Sequence, residues 1–170
     1  MPMKTIDRLL KEFEHEAQTT RKHLERLPDE KLTWRPHEKS FTAAGLASHI
    51  TESFGWTEVV FNEKEFNFDP STYKPYVAGS VAGLLKTFDD NVAKSKQALA
   101  AASEETLEQP WSLKIMDRVQ FERPRAEVFR DFVLSHVIHH RGQFSVYLRL
   151  LDIAVPGSYG PSADESAGGM

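Results

Sequence analysis

Two histidines four residues apart form the pattern in this chain that most directly indicates chemistry. His136 and His140 lie in a segment predicted to be helical, and a four-residue step places both imidazoles on one face of a helix. Two neutral imidazoles at this spacing can bind one divalent metal ion together. A catalytic zinc-type centre normally takes about three protein ligands and keeps another position for water or substrate. The pair therefore needs a third ligand from elsewhere in the chain.

A structural role is the alternative interpretation of this pair. His136 and His140 fall in line with apolar residues such as Phe129, Phe144 and Tyr147, so both rings are predicted to face the protein interior. Hydrogen bonds to the backbone or to polar neighbours would satisfy two buried imidazoles without a metal. A buried polar ring without a partner costs about 1–3 kcal/mol, and a metal ion would satisfy both rings at once. The spacing alone leaves the two interpretations open.

His49 is the candidate for the third ligand, because it is the only other histidine predicted to face the interior from a long helix. Three histidines from two helices would leave one face of the ion open, which is typical of a catalytic centre. Glu52 and Gln143, three residues after His49 and His140 respectively, could orient the metal-binding rings through their second nitrogens. An ordinary solvated or capping role is the alternative for both side chains.

The remaining histidines of the chain have no predicted role in metal binding. His15 and His23 lie among charged residues of the first helix and are predicted to be solvated, and His37 lies in a polar loop. In an ideal helix of about 3.6 residues per turn, the side chain of His139 points about 100° away from that of His140. It therefore cannot bind the same ion as its neighbour.

The composition narrows the class of partner. The 170 residues include 21 basic and 25 acidic side chains, a net charge of -4, and no basic run that would favour nucleic acid or an anionic membrane. No apolar stretch approaches the roughly 20 residues of a membrane span, and no signal peptide is evident, so we predict a cytoplasmic protein. With no cysteine in the chain, a metal site must use histidine or carboxylate ligands. A small-molecule partner fits best.

The apolar periodicity predicts a helical protein in one domain over residues 1–170. Helices are expected over residues 5–27, from residue 40 or 42 to about 61, from 80 to about 102, and from 124 to about 151. Alternating apolar residues between positions 111 and 121 predict a small hairpin before the last helix, and residues 62–79 are interpreted as an ordered loop. The predicted fold class is all-α, a four-helix up-and-down bundle, with residues 156–170 lying over the surface or fraying.

Several segments of the chain resemble one family in the family's own order. They are residues 32–36 (LTWRP), 46–50 (LASHI), 136–143 (HVIHHRGQ) and 155–164 (VPGSYGPSAD). The sequence is similar to the DinB/YfiT-like metal-binding superfamily over nearly the whole chain. The paired histidines with their Arg-Gly-Gln continuation are the specific part of the resemblance, whereas the Arg-Pro loop alone is weak.

The resemblance implies a DinB-like four-helix bundle, often a homodimer, whose divalent nickel or zinc ion is bound by His49, His136 and His140. Members of the superfamily include metal-dependent S-transferases that use small thiols such as bacillithiol or mycothiol, while others were proposed to be hydrolases. We therefore predict a metal-dependent enzyme, with an S-transferase using a low-molecular-weight thiol as the first hypothesis. A metal-dependent hydrolase and a non-catalytic, stress-associated metal-binding protein are the alternatives.

Overall fold

The protein is mostly helical and carries one small three-stranded sheet. Residues 3–166 are described by a computed structural model. None of the helices within this range is long and apolar enough to cross a membrane. The elements in chain order are α1 (Thr5–Leu24), a 3₁₀ turn (Asp29–Lys31), α2 (Ala43–Asn62), β1 (Glu65–Phe68), α3 (Val81–Ala101), α4 (Glu104–Glu108), β2 (Pro110–Ile115), β3 (Arg118–Pro124), α5 (Arg125–Val128), a π-helical segment (Phe129–Ser135) and α6 (His136–Leu150).

Two of the long helices begin at the residues that the sequence predicts. The side chain of Thr42 accepts a hydrogen bond from the backbone N–H of Gly45 at the start of α2. Ser80 does the same for the N–H of Gly83 at the start of α3. Each hydroxyl satisfies one of the backbone donors that a helix leaves unpaired in its first turn. The predicted N-cap at Ser80 is thus confirmed.

Aromatic side chains join the long helices at their centre. Phe13 of α1 packs edge-on against Phe54 of α2, with ring centroids 5.5 Å apart. Phe54 in turn packs against Phe88 of α3 at 5.0 Å, and Phe13 contacts Phe129 of the π-helical segment at 6.2 Å. All four rings are buried. This core fixes α2 relative to α6, the two helices that carry the candidate ligands.

The chain is mostly helical, as the all-α prediction implies, but its sheet is larger than predicted because β1 adds a third strand to the predicted hairpin. The hairpin itself is confirmed: β2 and β3 pair antiparallel, with Met116 and Asp117 at positive φ in the turn. β1 lies within the stretch interpreted as a loop, and it pairs parallel with β2 in the register Glu65 opposite Ser112. A parallel partner so far along the chain leaves no local sequence pattern by which the strand could be found.

The final helix is wider in its middle than an ideal α-helix. The sequence predicts one continuous helix from Pro124, whereas the seven residues Phe129–Ser135 form π-helical turns between α5 and α6. The hydroxyl of Ser135 donates to the carbonyl of Arg130. Such segments occur frequently at functional sites, and this one ends immediately before His136.

Arg125 links the start of the final helix to the end of α2. Its buried guanidinium donates hydrogen bonds to the carbonyls of Val60 and Glu63, the latter at 2.7 Å. The last carbonyls of an α-helix have no partner within that helix, so Arg125 provides partners for two carbonyls at the end of α2. The contact helps to set the separation between α2 and the helix that carries the histidine pair.

The segment after α6 runs back against α1. Pro156 is buried, and the hydroxyl of Tyr159 donates to the carboxylate of Glu16 at 3.0 Å. The ring of Tyr159 remains 65% exposed. Residues 167–170 of the predicted surface tail lie outside the described residues.

Candidate metal centre

His49, His136 and His140 come together between α2 and α6. The distance between His49 Nε2 and His136 Nε2 is 2.9 Å, and one ring nitrogen from each of the three residues lies within 4.8 Å of the others. The ring centroids of His136 and His140 are 4.5 Å apart, as the four-residue step predicts. We refer to these three residues as the histidine cluster.

The dimensions of the histidine cluster suit one divalent ion. Zinc–nitrogen bonds of about 2.0–2.1 Å in tetrahedral geometry place two ligand nitrogens about 3.4 Å apart. This separation lies between the 2.9 Å of the closest pair and the 4.8 Å limit of the group. Small side-chain movements would therefore accommodate an ion. Three imidazoles are also a donor set that suits nickel and zinc.

The surroundings keep the histidine cluster uncharged. Burial, and then the ring of His140, lower the pKa of His49. Burial and the neighbouring rings of His140, His49 and His139 lower the pKa of His136 to about 4. Burial also lowers the pKa of His140, although its hydrogen bond to Gln143 acts in the opposite direction. At neutral pH the three rings are therefore neutral, which is the form that binds a metal ion.

Gln143 determines which nitrogen of His140 is free. His140 Nδ1 lies 2.8 Å from Gln143 Oε1, and an amide oxygen can only accept, so Nδ1 carries the proton. The Nε2 lone pair of His140 is left available to an ion. The amide nitrogen of Gln143 donates to His139 Nε2 at 3.0 Å. The structure thus places Gln143 in contact with His140, and it places His139 outside the cluster.

Glu52 has different partners from those that the sequence predicts. Its carboxylate accepts hydrogen bonds from the Tyr73 hydroxyl at 3.2 Å and from the backbone N–H of Tyr76 at 3.4 Å. Burial and the charge of Glu52 raise the pKa of Tyr73, so its hydroxyl stays protonated and donates. Glu52 therefore orders the loop between β1 and α3, and within residues 3–166 no hydrogen bond joins it to His49.

An aromatic wall separates the histidine cluster from the sheet. The ring of Trp56 lies 5.0 Å from that of His136 and 5.7 Å from that of His49. Its other face stacks on Phe132 at 5.0 Å. On the other side of the cluster, Phe41 stacks on His49 at 5.7 Å. These rings therefore pack directly against the candidate ligands.

An apolar pocket of about 310 Å³ borders His49. Its walls come from α2, from β1 and β2, from Tyr73 and from Phe132. Trp111, Leu113 and Ile115 alternate along β2 and all line it, because alternate residues of a strand share one face. The sequence pattern located the strand but gave no indication of a pocket, since the opposite wall depends on tertiary packing.

A second polar cluster on α6 was not predicted. Arg141 is only 2% exposed and donates to the carboxylate of Glu16 at 2.6 Å, to Thr20 Oγ1 at 3.2 Å and to the Tyr159 hydroxyl at 2.8 Å. We call Arg141, Glu16, Thr20 and Tyr159 the arginine cluster. It joins α6 to α1 and to the C-terminal segment, so the arginine of the Arg-Gly-Gln motif has a structural role.

His23, beside the arginine cluster, is buried rather than solvated. Its Nδ1 lies 2.9 Å from the carbonyl of Thr19, one helical turn earlier, and burial lowers its pKa. The prediction of a surface position for His23 is therefore wrong, whereas His15 and His37 are exposed as predicted. Charged neighbours in sequence concealed the inward direction of the His23 side chain.

Fold and site together define a mostly helical protein with a three-histidine group that could hold a metal ion. The chain belongs to the DinB family, whose model matches residues 1–169. An uncharacterized protein of Bacillus subtilis strain 168, YrdA, is 28% identical over 168 residues, which cover 96% of this chain and 93% of that protein.

Two crystal structures have the same fold. A DinB-like protein of Bacillus cereus ATCC 10987 matches with a TM-score of 0.70 at 23% identity, covering 89% of this chain and 95% of the other. The DinB-like protein YjoA of Bacillus subtilis matches with a TM-score of 0.69 at 20% identity, covering 89% and 96%. At these identities the likeness concerns the fold alone.

Proposed function

We propose that the histidine cluster binds one divalent ion, nickel or zinc, and that the protein is an enzyme joining a low-molecular-weight thiol to an electrophile. The observation that carries this proposal is the convergence of three neutral imidazoles from two helices beside an apolar pocket. Such an arrangement combines a metal-binding group with space for a small molecule. Both metals suit imidazole, and the metal available in the cell would decide between them.

Several side chains have separate roles at this site. When bound, a divalent ion would supply an open position at which a thiol loses its proton more readily. His49, His136 and His140 would hold it, and Gln143 keeps the proton of His140 on Nδ1. Trp56 packs against the rings of His49 and His136. Because the chain has no cysteine, the reacting sulfur must come from a substrate.

The position of Glu52 favours thiol transfer over metal-dependent hydrolysis. Hydrolysis benefits from a general base that accepts a proton from the attacking water. Within residues 3–166, Glu52 is the only carboxylate that lines the pocket beside His49, and it is already bound to Tyr73 and Tyr76. A thiol has a much lower pKa than water and can react without such a base.

The test begins with protein purified without a histidine tag. We expect metal analysis to find up to one divalent ion per chain, and His49→Ala, His136→Ala and His140→Ala each to remove most of it. The zinc- or nickel-loaded protein is then incubated with a panel of small thiols and monochlorobimane. Thiol consumption that disappears in His49→Ala would support the transferase.

His37→Ala is the matched control, since His37 is an exposed loop histidine and its loss should change neither metal content nor turnover. Retention of the metal in both His136→Ala and His140→Ala would contradict the metal site. Bound metal without turnover across the whole panel would instead support the non-catalytic, stress-associated protein.

From the resemblance to the DinB family, we also propose that the long helices form an up-and-down four-helix bundle. α1 and α2 each pack against both α3 and α6, which is the set of neighbours expected around a square. An experimental structure in which the successive helices alternate in direction would support this arrangement. Parallel neighbours would contradict it.

We also propose a homodimer through the exposed face of α6. Gly142, Val146 and Leu150 follow one another at four-residue steps, and the two larger side chains are 55% and 57% exposed. A Cβ added at Gly142 would meet no atom within 4 Å, so a partner can approach closely. Light scattering should show a dimer that Val146→Glu converts to a monomer, while Val119→Glu on β3 does not. A monomeric wild type would contradict the proposal.

A further inference from the structure

We infer that the pocket beside His49 binds a flat, apolar and uncharged group and that, in the metal-free protein, it discriminates against anions. This inference rests on the proposed function in one respect: the group would belong to the electrophile that receives the thiol. The pocket itself is argued from the side chains that form it.

The walls of the pocket suit a small aromatic ring system. Phe66 and Phe68 of β1 face it together with Leu113 of β2, and Trp56 of α2 supplies part of the opposite wall. Aromatic side chains bind flat apolar groups by stacked or edge-on contacts. The volume of about 310 Å³ is near the lower end of the roughly 300–1,000 Å³ found for ligand pockets. Two or three aromatic rings would therefore fill it.

The charge of the pocket has one sign. Among the described side chains that line it, Glu52 is the only carboxylate. Lysine and arginine are absent from these lining residues. A carboxylate beside apolar walls repels an anion more strongly than it would in water. The pocket should therefore prefer a neutral group to an anionic group of the same shape.

The pocket and the histidine cluster share one residue. His49 lines the pocket and lies 2.9 Å from His136 in the cluster, and Trp56 contacts both the pocket and His136. A group that fills the pocket therefore ends beside the candidate metal ligands. This position is appropriate for the apolar part of a substrate whose reacting atom lies at the cluster.

Two fluorescent probes that differ by one charged group test the inference. N-phenyl-1-naphthylamine is neutral, and 8-anilinonaphthalene-1-sulfonate adds a sulfonate to the same ring system. Titration of the metal-free protein should show one saturable site for the neutral probe and binding about tenfold weaker or worse for the anionic probe. Equal affinities, or stronger binding of the anionic probe, would overturn the inference.

Two variants connect the binding to the pocket. Glu52→Gln keeps hydrogen-bonding capacity toward Tyr73 and should raise the affinity for the anionic probe severalfold while leaving the neutral probe unchanged. Phe66→Ala, on an edge strand, should weaken the neutral probe. Val119→Ala on β3 is the control, since Val119 is an exposed apolar residue outside the pocket. Circular dichroism checks that each variant is folded. If Phe66→Ala did not change the affinity for the neutral probe, the probe would bind elsewhere and the inference would be overturned.

The result is independent of the metal proposal. Probe titrations use protein treated with a chelator, whereas metal content is measured on untreated protein. Neutral-probe binding in a chain that retains no metal would support the pocket and contradict the metal site. A protein that holds one metal ion per chain but binds both probes equally would support the metal site and contradict the pocket.

Discussion

The histidine cluster and the arginine cluster arise from adjacent residues of one helix, yet they satisfy their polar groups in different ways. The side chains of His140 and Arg141 project from α6 about 100° apart. The side chain of His140 points toward α2, and that of Arg141 points toward α1. Arg141 finds an opposite charge and two hydroxyl partners. The three imidazoles instead face one another, and burial, followed by the neighbouring histidine rings, lowers their pKa values.

This difference indicates that the arginine cluster stabilises the fold, whereas the histidine cluster is suited to binding a ligand. A buried charge is tolerated when a counter-charge and hydrogen bonds complete its coordination, as they do for Arg141. A group of imidazole nitrogens that face one another, with no counter-charge, is typical of a site prepared for an outside ligand. We therefore expect damage to the arginine cluster to unfold the chain, and damage to the histidine cluster to change what the chain binds.

The largest expected effect is on stability, from Arg141→Met. This change leaves the buried Glu16 carboxylate without its counter-charge, and losing one partner of a buried pair lowers the free energy of unfolding by about 3–5 kcal/mol. Urea denaturation followed by circular dichroism measures the loss. The metal content per folded chain should stay near that of the wild type.

The double variant Arg141→Met with Glu16→Gln is the control, because it removes both charges. It should recover a large part of the lost stability. A loss below about 1 kcal/mol in Arg141→Met, the range of a surface ion pair, would contradict a structural role for the arginine cluster.

An intermediate effect is expected on metal affinity, from Gln143→Leu. Removal of a side chain that orients a metal-binding histidine typically weakens metal binding about 10–100-fold. Competition with a chromogenic chelator measures the affinity. Because Gln143 is exposed, the free energy of unfolding of the metal-free protein should change by less than about 0.5 kcal/mol. Gln97→Leu, the same change at an exposed position of α3, should leave the affinity unaltered, and equal affinities in all three proteins would contradict the role of Gln143.

Local pattern explains what could be predicted from the sequence. Thr42 and Ser80 cap helices because a hydroxyl before an apolar-periodic segment can accept from its first turn. Periodicity placed His49, His136 and His140 on the inner faces of two helices, and their rings lie together. Each of these inferences needs only a few neighbouring residues.

Contacts between distant segments explain what could not be predicted. Glu16 and Arg141 pair across α1 and α6, and either residue alone resembles a solvated surface charge. β1 exists because β2 lies beside it. Glu52 follows His49 by one helical turn, yet the loop at Tyr73 draws its carboxylate away. In all three cases the deciding partner is remote in sequence.

The smallest expected effect is a pH dependence of the metal-free protein. The unfolded chain binds a proton on His136 near the ordinary histidine pKa of about 6.5, whereas in the folded protein burial and neighbouring rings lower that pKa to about 4. Between these values the unfolded state holds more protons, so the free energy of unfolding should fall as the pH is lowered from 6.5 toward 4. His136→Ala removes this contribution, and its unfolding midpoint should approach that of the wild type as the solution becomes more acidic. Urea titrations in the presence of a chelator at pH 5 and at pH 8 measure the change. At pH 8, His136 is neutral in both the folded and the unfolded protein. If the stability of the two proteins changed equally between these pH values, the histidine cluster would be open to solvent rather than held neutral by its surroundings.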